Sequence, residues 1–134
     1  MQDEPTATEL IKAVADFLRN DIAPQIAGGH SAFKLRVAIN ALDLVTRELT
    51  LAGASDAAEN ARLAQLLGVH GTLKDLNTAL AGDIASGEIG LSSPGVADHL
   101  WRTTMEKLAV DQPNYASYRE ELGRDTGPAS SPAA

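Results

Sequence analysis

Residues Ser31 to Ala52, SAFKLRVAINALDLVTRELTLA, form the longest strongly apolar stretch that contains neither Gly nor Pro. A run of this length predicts one helix of about six turns, roughly 33 Å long. Leu35, Ala38, Ile39, Leu42, Val45 and Leu49 follow the alternating three- and four-residue steps of a single helix face. Val37, Ala41 and Leu44 widen that apolar surface around the cylinder. A helix apolar on so many sides belongs at the centre of a domain, touched by several neighbours. A polar line interrupts it: Arg36, Asn40, Asp43 and Arg47, at steps of four, three and four, emerge on one side.

The flanking sequence punctuates readily into further helices. Glu4 to Asp21 predicts the first, with Leu10, Ile11, Val14, Phe17, Leu18 and Ile22 on its apolar side and Thr6 with Glu9 positioned for a capping box. Pro24 and the Gly28–Gly29 pair read as a turn, and Ser31 as the N-cap of the central helix. Gly53 reads as the residue that closes it, and Ser55 as the cap of a third helix over Asp56 to Leu67. Thr72 and Asp75 predict the start of a fourth helix, Leu73 to Ser86, striped by Leu73, Leu76, Leu80 and Ile84. Ser93-Pro94 predicts the start of a fifth, running to Val110, and a short sixth spans Tyr115 to Leu122. From Gly123 onward Gly, Pro, Ala and Ser dominate, and disorder is expected. The connections are short, which favours antiparallel neighbours. The expectation is an all-α antiparallel bundle of about five helices around the central helix at 31–52. The bundle occupies residues 1–122, with a short terminal helix at its end and a tail at 123–134.

Composition narrows the function. A net charge of −7 with only eleven scattered Lys and Arg argues against nucleic acid and against anionic membranes, because phosphate surfaces need concentrated positive charge. The absence of cysteine removes thiol catalysis and thiolate metal ligation. The opening MQDEPTATEL lacks the basic and apolar segments of a signal peptide. No run approaches a membrane span, so a cytoplasmic location is the expectation. His30, His70 and His99 show no metal-ligand spacing, and neither a nucleophile elbow nor a phosphate loop is present. We therefore expect no catalytic residues, metal or cofactor of the chain's own.

The polar line allows three readings: a solvated stripe carrying an Asp43–Arg47 helix pair, a tether in which Arg36 and Asn40 reach across to loop backbones, a guanidinium offering five donors, or a docking surface. Trp101 reads as an amphipathic residue at a core edge or an interface. Pro113 and Tyr115 read as packing a chain reversal onto the bundle.

Two segments, FKLRVAINAL (33–42) with VTREL (45–49), and KLAVDQPNY (107–115), resemble a family of small bacterial proteins of unassigned function. The segments ELIKAVADFL (9–18), RLAQLLG (62–68) and LNTALAGDIASG (76–87) fit the same family. Its members are typically encoded beside aminoglycoside-phosphotransferase-like kinases and acyl-CoA dehydrogenases. The resemblance covers roughly residues 5 to 118. It implies a small companion subunit of a kinase that phosphorylates 4-hydroxyacyl-CoA in levulinate-type catabolism, with the kinase as partner and acyl-CoA a further candidate. It points to Phe33, Arg36, Asn40, Arg47 and Glu48, and to Lys107, Pro113 and Tyr115, as binding or interface residues, and the polar line adds Asp43 to them. Near its end the family pattern often reads Asn-Pro-x-Tyr, and Gln112 stands here in the Asn position. Besides this reading, a small-ligand binding domain with a cleft between the central helix and 107–115, or a self-associating helical module forming a homodimer, also fits the residues.

Overall fold

The computed structural model describes residues 4–125, and among these every regular element is helical. Five α-helices follow in order: α1 (Ala7–Phe17), α2 (Gly29–Leu67), α3 (Leu73–Ser86), α4 (Val96–Asp111) and α5 (Ala116–Asp125). A π-turn at Leu18–Ile22 and a 3-10 turn at Ala23–Gln25 join α1 to α2. The fold is thus the expected all-α bundle, with α1, α3 and α4 each packed on α2.

Several boundaries differ from those the sequence predicts. Gly53 does not close the central helix, and Ser55 does not cap another: α2 is one rod of 39 residues, about 58 Å long. A C-terminal glycine works by adopting a left-handed conformation, and Gly53 has no positive φ, whereas Gly68 does, at +68°. The helical penalty of a glycine, about 1 kcal/mol, is small against the good helix formers around it, Ala52, Ala54, Ala57 and Ala58. At the other end Gly28, not Ser31, is the N-cap. Ser93 and Pro94 form a turn ahead of α4, whose N-cap is Gly95. Here the Ser93 hydroxyl accepts a hydrogen bond from the Gly90 amide at 3.0 Å instead of capping a helix. The last helix reaches Asp125, into the stretch expected to be a tail. The rest of that expected tail, 126–134, lies outside the described residues. The Thr6–Glu9 capping box forms as expected, and Thr72 caps α3 by accepting from the Asp75 amide.

Packing is densest along the second half of α2. Leu63, Leu76 and Leu80 make the buried cluster, with Ala64, Leu67, Leu73 and Ile89 against it. α3 returns antiparallel over α2, tied by Asn60 Nδ2 to the Gly71 carbonyl at 3.1 Å and by Asn77 Nδ2 to Glu59 Oε1 at 2.8 Å. α4 also runs antiparallel to α2. The Arg62 guanidinium grips the Glu106 carboxylate with two bonds of 3.0 and 2.6 Å, and Arg47 reaches the far end of α4. In the first half of α2, only Ile39 is buried. There α1 lies alongside, held by Arg19 Nη2 donating to both oxygens of Asp43 at 2.8 and 2.7 Å. The apolar segment 31–52 is central in topology, but its core contribution is modest and much of its apolar surface remains in solvent.

Candidate functional site

Where α4 ends, the chain turns back through Gln112, Pro113, Asn114 and Tyr115 beside the first half of α2. A cleft of about 680 Å³ opens between them. Its floor is apolar: Val37, Ala41 and Leu44. Asn40, Asp43 and Arg47 rise on one side, and Asp111 to Tyr115 form the other wall. The helix positions these side chains by its period. Residues 37, 40, 41, 44 and 47 recur at three- and four-residue steps and share one side of α2.

The polar line has divided its work. Asp43 does not pair with Arg47, its neighbour one turn on, as the local spacing predicts; its carboxylate goes to Arg19 in the π-turn that follows α1. Arg47 donates Nε to the Val110 carbonyl at 2.6 Å. That carbonyl belongs to the last turn of α4, where helix carbonyls lack intrahelical donors and the dipole favours a cation. Arg47 thereby fixes the end of α4 and the reversal that follows. The backbone tether expected of Arg36 and Asn40 is made instead by Arg47, while Asp43 holds a side chain. The Asn40 side chain makes no hydrogen bond among the described residues and stands exposed at the cleft rim, and Tyr115 is half exposed opposite. Arg36, on the same line, stands exposed outside the cleft lining.

Of the residues singled out from sequence, Asn40, Asp43, Arg47, Pro113 and Tyr115 meet at this cleft. Glu48 and Lys107 meet elsewhere, around a smaller hollow between α2 and α4 that also involves Ser55, Glu59 and Glu106. Phe33 projects 55% exposed from the first turns of α2, apart from both.

Sequence reading passed over a polar cluster inside the α2–α4 contact. His99 is only 2% exposed and its Nδ1 has no partner among the described residues. Burial pushes its pKa below the ordinary imidazole value, and the nearby Arg62 cation pushes the same way. Arg62 hydrogen-bonds Glu106 and Thr103, and its pKa is raised chiefly by the Glu106 bond. Glu59 is buried and accepts from Asn77. None of these contacts lies within four residues, so no local spacing announces them. The one sequence signal was His99 on the same helical face as Val96, Thr103 and Glu106. No group of three or more potential metal ligands occurs among the described residues, and no helix among them is long and apolar enough to cross a membrane.

An antiparallel all-α bundle with an open, partly apolar cleft at a helix reversal defines the class: a small helical domain whose distinguishing surface is a groove edge. The chain belongs to the family of the domain of unknown function DUF6285, which matches residues 24–115. That span begins at the turn before α2 and ends at Tyr115, so it includes every residue of the cleft. No curated protein and no solved structure matches the chain significantly.

Proposed function

We propose that the protein is a non-catalytic accessory subunit of a phosphotransferase-like kinase acting on hydroxyacyl-CoA, and that the cleft at Asn40 and Tyr115 is where it grips its partner. One observation carries this reading. The two segments on which the resemblance to kinase-companion proteins rests, 33–49 and 107–115, are separated by nearly sixty residues, and they converge on one cleft. The cleft is open along its length, which suits a protruding segment of another protein better than an enclosed substrate. Its apolar floor offers burial, and Asn40 and Tyr115 offer unused polar groups at the rim. Tyr115 is a large aromatic of the kind that carries much of an interface's binding energy, so trimming it is expected to weaken the contact.

Co-expression with an aminoglycoside-phosphotransferase-like kinase of the kind the resemblance implies, followed by size exclusion, tests the reading. Co-elution is expected, along with kinase activity that depends on this subunit. Tyr115→Ala should reduce both about tenfold or more while leaving the melting temperature of the isolated protein within a degree or two. Separate elution with unchanged kinase activity would refute the reading. The apolar floor beside Arg47 and Asn40 favours a second reading, in which the cleft takes the arm of an acyl-CoA-type ligand. A thermal shift with acyl-CoA that Asn40→Ala abolishes, in the absence of any kinase, would favour it over the first.

A further inference from the structure

The side of the molecule away from the cleft carries an apolar face that nothing among the described residues covers. On α2 the positions 38, 42, 45, 49, 52, 56, 60, 63 and 67 form one continuous seam of three- and four-residue steps. Its far end, Leu63 and Leu67, is covered by α3 through Leu73, Leu76 and Leu80. Its near end is bare: Val45 is 43% exposed and Leu49 53%, and Ala38 is exposed. On α1 a matching strip stands open, with Leu10, Val14 and Phe17 about half exposed. The two strips adjoin. The Arg19–Asp43 ion pair marks one edge of the α1–α2 contact. At 3.6 residues per turn, Leu10, Val14 and Phe17 point to the opposite edge of α1, and Ala38, Val45 and Leu49 to the opposite edge of α2.

The charges on this face select its occupant. Between Lys34 and Asp56 the seam holds only Ala38, Leu42, Val45, Leu49 and Ala52, without a charge, in a chain of net charge −7. This is a place where an equally acidic copy can approach without repulsion. Lys34 and Asp56 lie on the same side of α2, each eleven residues from Val45 and on opposite flanks of it. Both are exposed, and neither makes an ion pair within the chain among the described residues. Two antiparallel copies of α2 crossing at Val45 set each Lys34 opposite Asp56 of the second copy. The Arg19–Asp43 contact fixes the register of α1, which brings Phe17 level with Val45 and so also onto the two-fold axis. The six apolar side chains offer on the order of 500 Å² per copy, or about 1000 Å² in a pair, which reaches the lower limit for a specific interface.

We propose that this face is a homodimer interface: α1 and the first half of α2 from two copies form an antiparallel four-helix arrangement, with Val45 and Phe17 at the two-fold axis and Lys34–Asp56 pairs at its ends. The proposal is independent of the cleft, which opens on the other side of α2 and stays accessible in the dimer.

The native chain has no cysteine, so single cysteines report cleanly. Val45→Cys treated with a short bismaleimide should give a covalent species of twice the 14.0 kDa chain mass, while Lys74→Cys on α3 should stay single. By sedimentation, Lys34→Glu and Asp56→Lys should each weaken association about tenfold, and the double variant should restore it. Val45→Glu should give a monomer with unchanged helical circular dichroism. Three outcomes would overturn the proposal. One is a wild-type chain that sediments as a monomer at high micromolar concentration, one is a Val45→Cys chain that stays uncrosslinked, and one is a charge swap that fails to rescue.

Discussion

His99 has almost no access to water, and its Nδ1 has no partner among the described residues. Burial, followed by the Arg62 cation, holds its pKa below the ordinary value of 6.5. As pH falls through 6.5 the unfolded chain takes up this proton before the folded one does, so stability is full above that pH and declines below it. Melting temperature should therefore drop between pH 7.5 and 5.5, and His99→Leu should remove most of that drop. The other two histidines, His30 and His70, are exposed, which leaves His99 as the group to test in this window. Arg62 beside it is a second test. Its two bonds to Glu106 are mostly shielded from solvent, with side chains 19% and 27% exposed. Arg62→Met should cost about 2 kcal/mol in urea denaturation, since it leaves the Glu106 carboxylate without its charged donor. Adding Glu106→Leu should return much of that loss, because two apolar groups replace a desolvated pair.

At the scale of elements, the continuity of α2 decides the shape of the domain. Gly53 sits mid-helix with no positive φ, and a Cβ placed there would meet nothing within 4 Å. Gly53→Ala should stabilise the protein by about 0.5–1 kcal/mol, the ordinary helix-interior difference. Gly68 ends α2 with φ +68°, and Gly68→Ala should cost about 1 kcal/mol or more, because an L side chain is strained there. If α2 were broken at residue 53, both substitutions would destabilise; opposite signs by chemical denaturation are the signature of one rod. Arg47 works at the same scale. It joins the middle of α2 to the last turn of α4, and the cleft exists because that turn is held in place.

For the whole molecule, the consequence of one long helix is uneven cover. α3 and α4 both pack on the second half of α2, and the first half has α1 and the edge of the 112–115 reversal. A domain of this size buries few large side chains outright: among the described residues Leu63 and Val96 are the largest that are fully enclosed. Leu10, Val14, Val45 and Leu49 beside α1 and the first half of α2 stay exposed for the same reason. If two copies pair through that face, stability must follow mass action. The melting temperature should rise with protein concentration from low to high micromolar, and Val45→Glu should abolish that dependence.

The sequence by itself determined which stretches are helical and the stripe each presents, because those depend on side chains three or four residues apart and on local capping geometry. The Thr6 and Thr72 caps and the Leu76–Leu80 stripe were legible for that reason. So was the side of α2 on which Asn40, Asp43 and Arg47 emerge. Tertiary structure alone decided which partner each polar group took. Asp43 lies 24 residues from Arg19, and Arg47 lies 63 from Val110. Only chain reversals bring such groups within hydrogen-bonding distance, and the geometry of those reversals is not written in local spacing. Gly53 is a different case: a glycine there permits a helix end or a helix interior, and the helix-forming alanines on both sides of it carry α2 through.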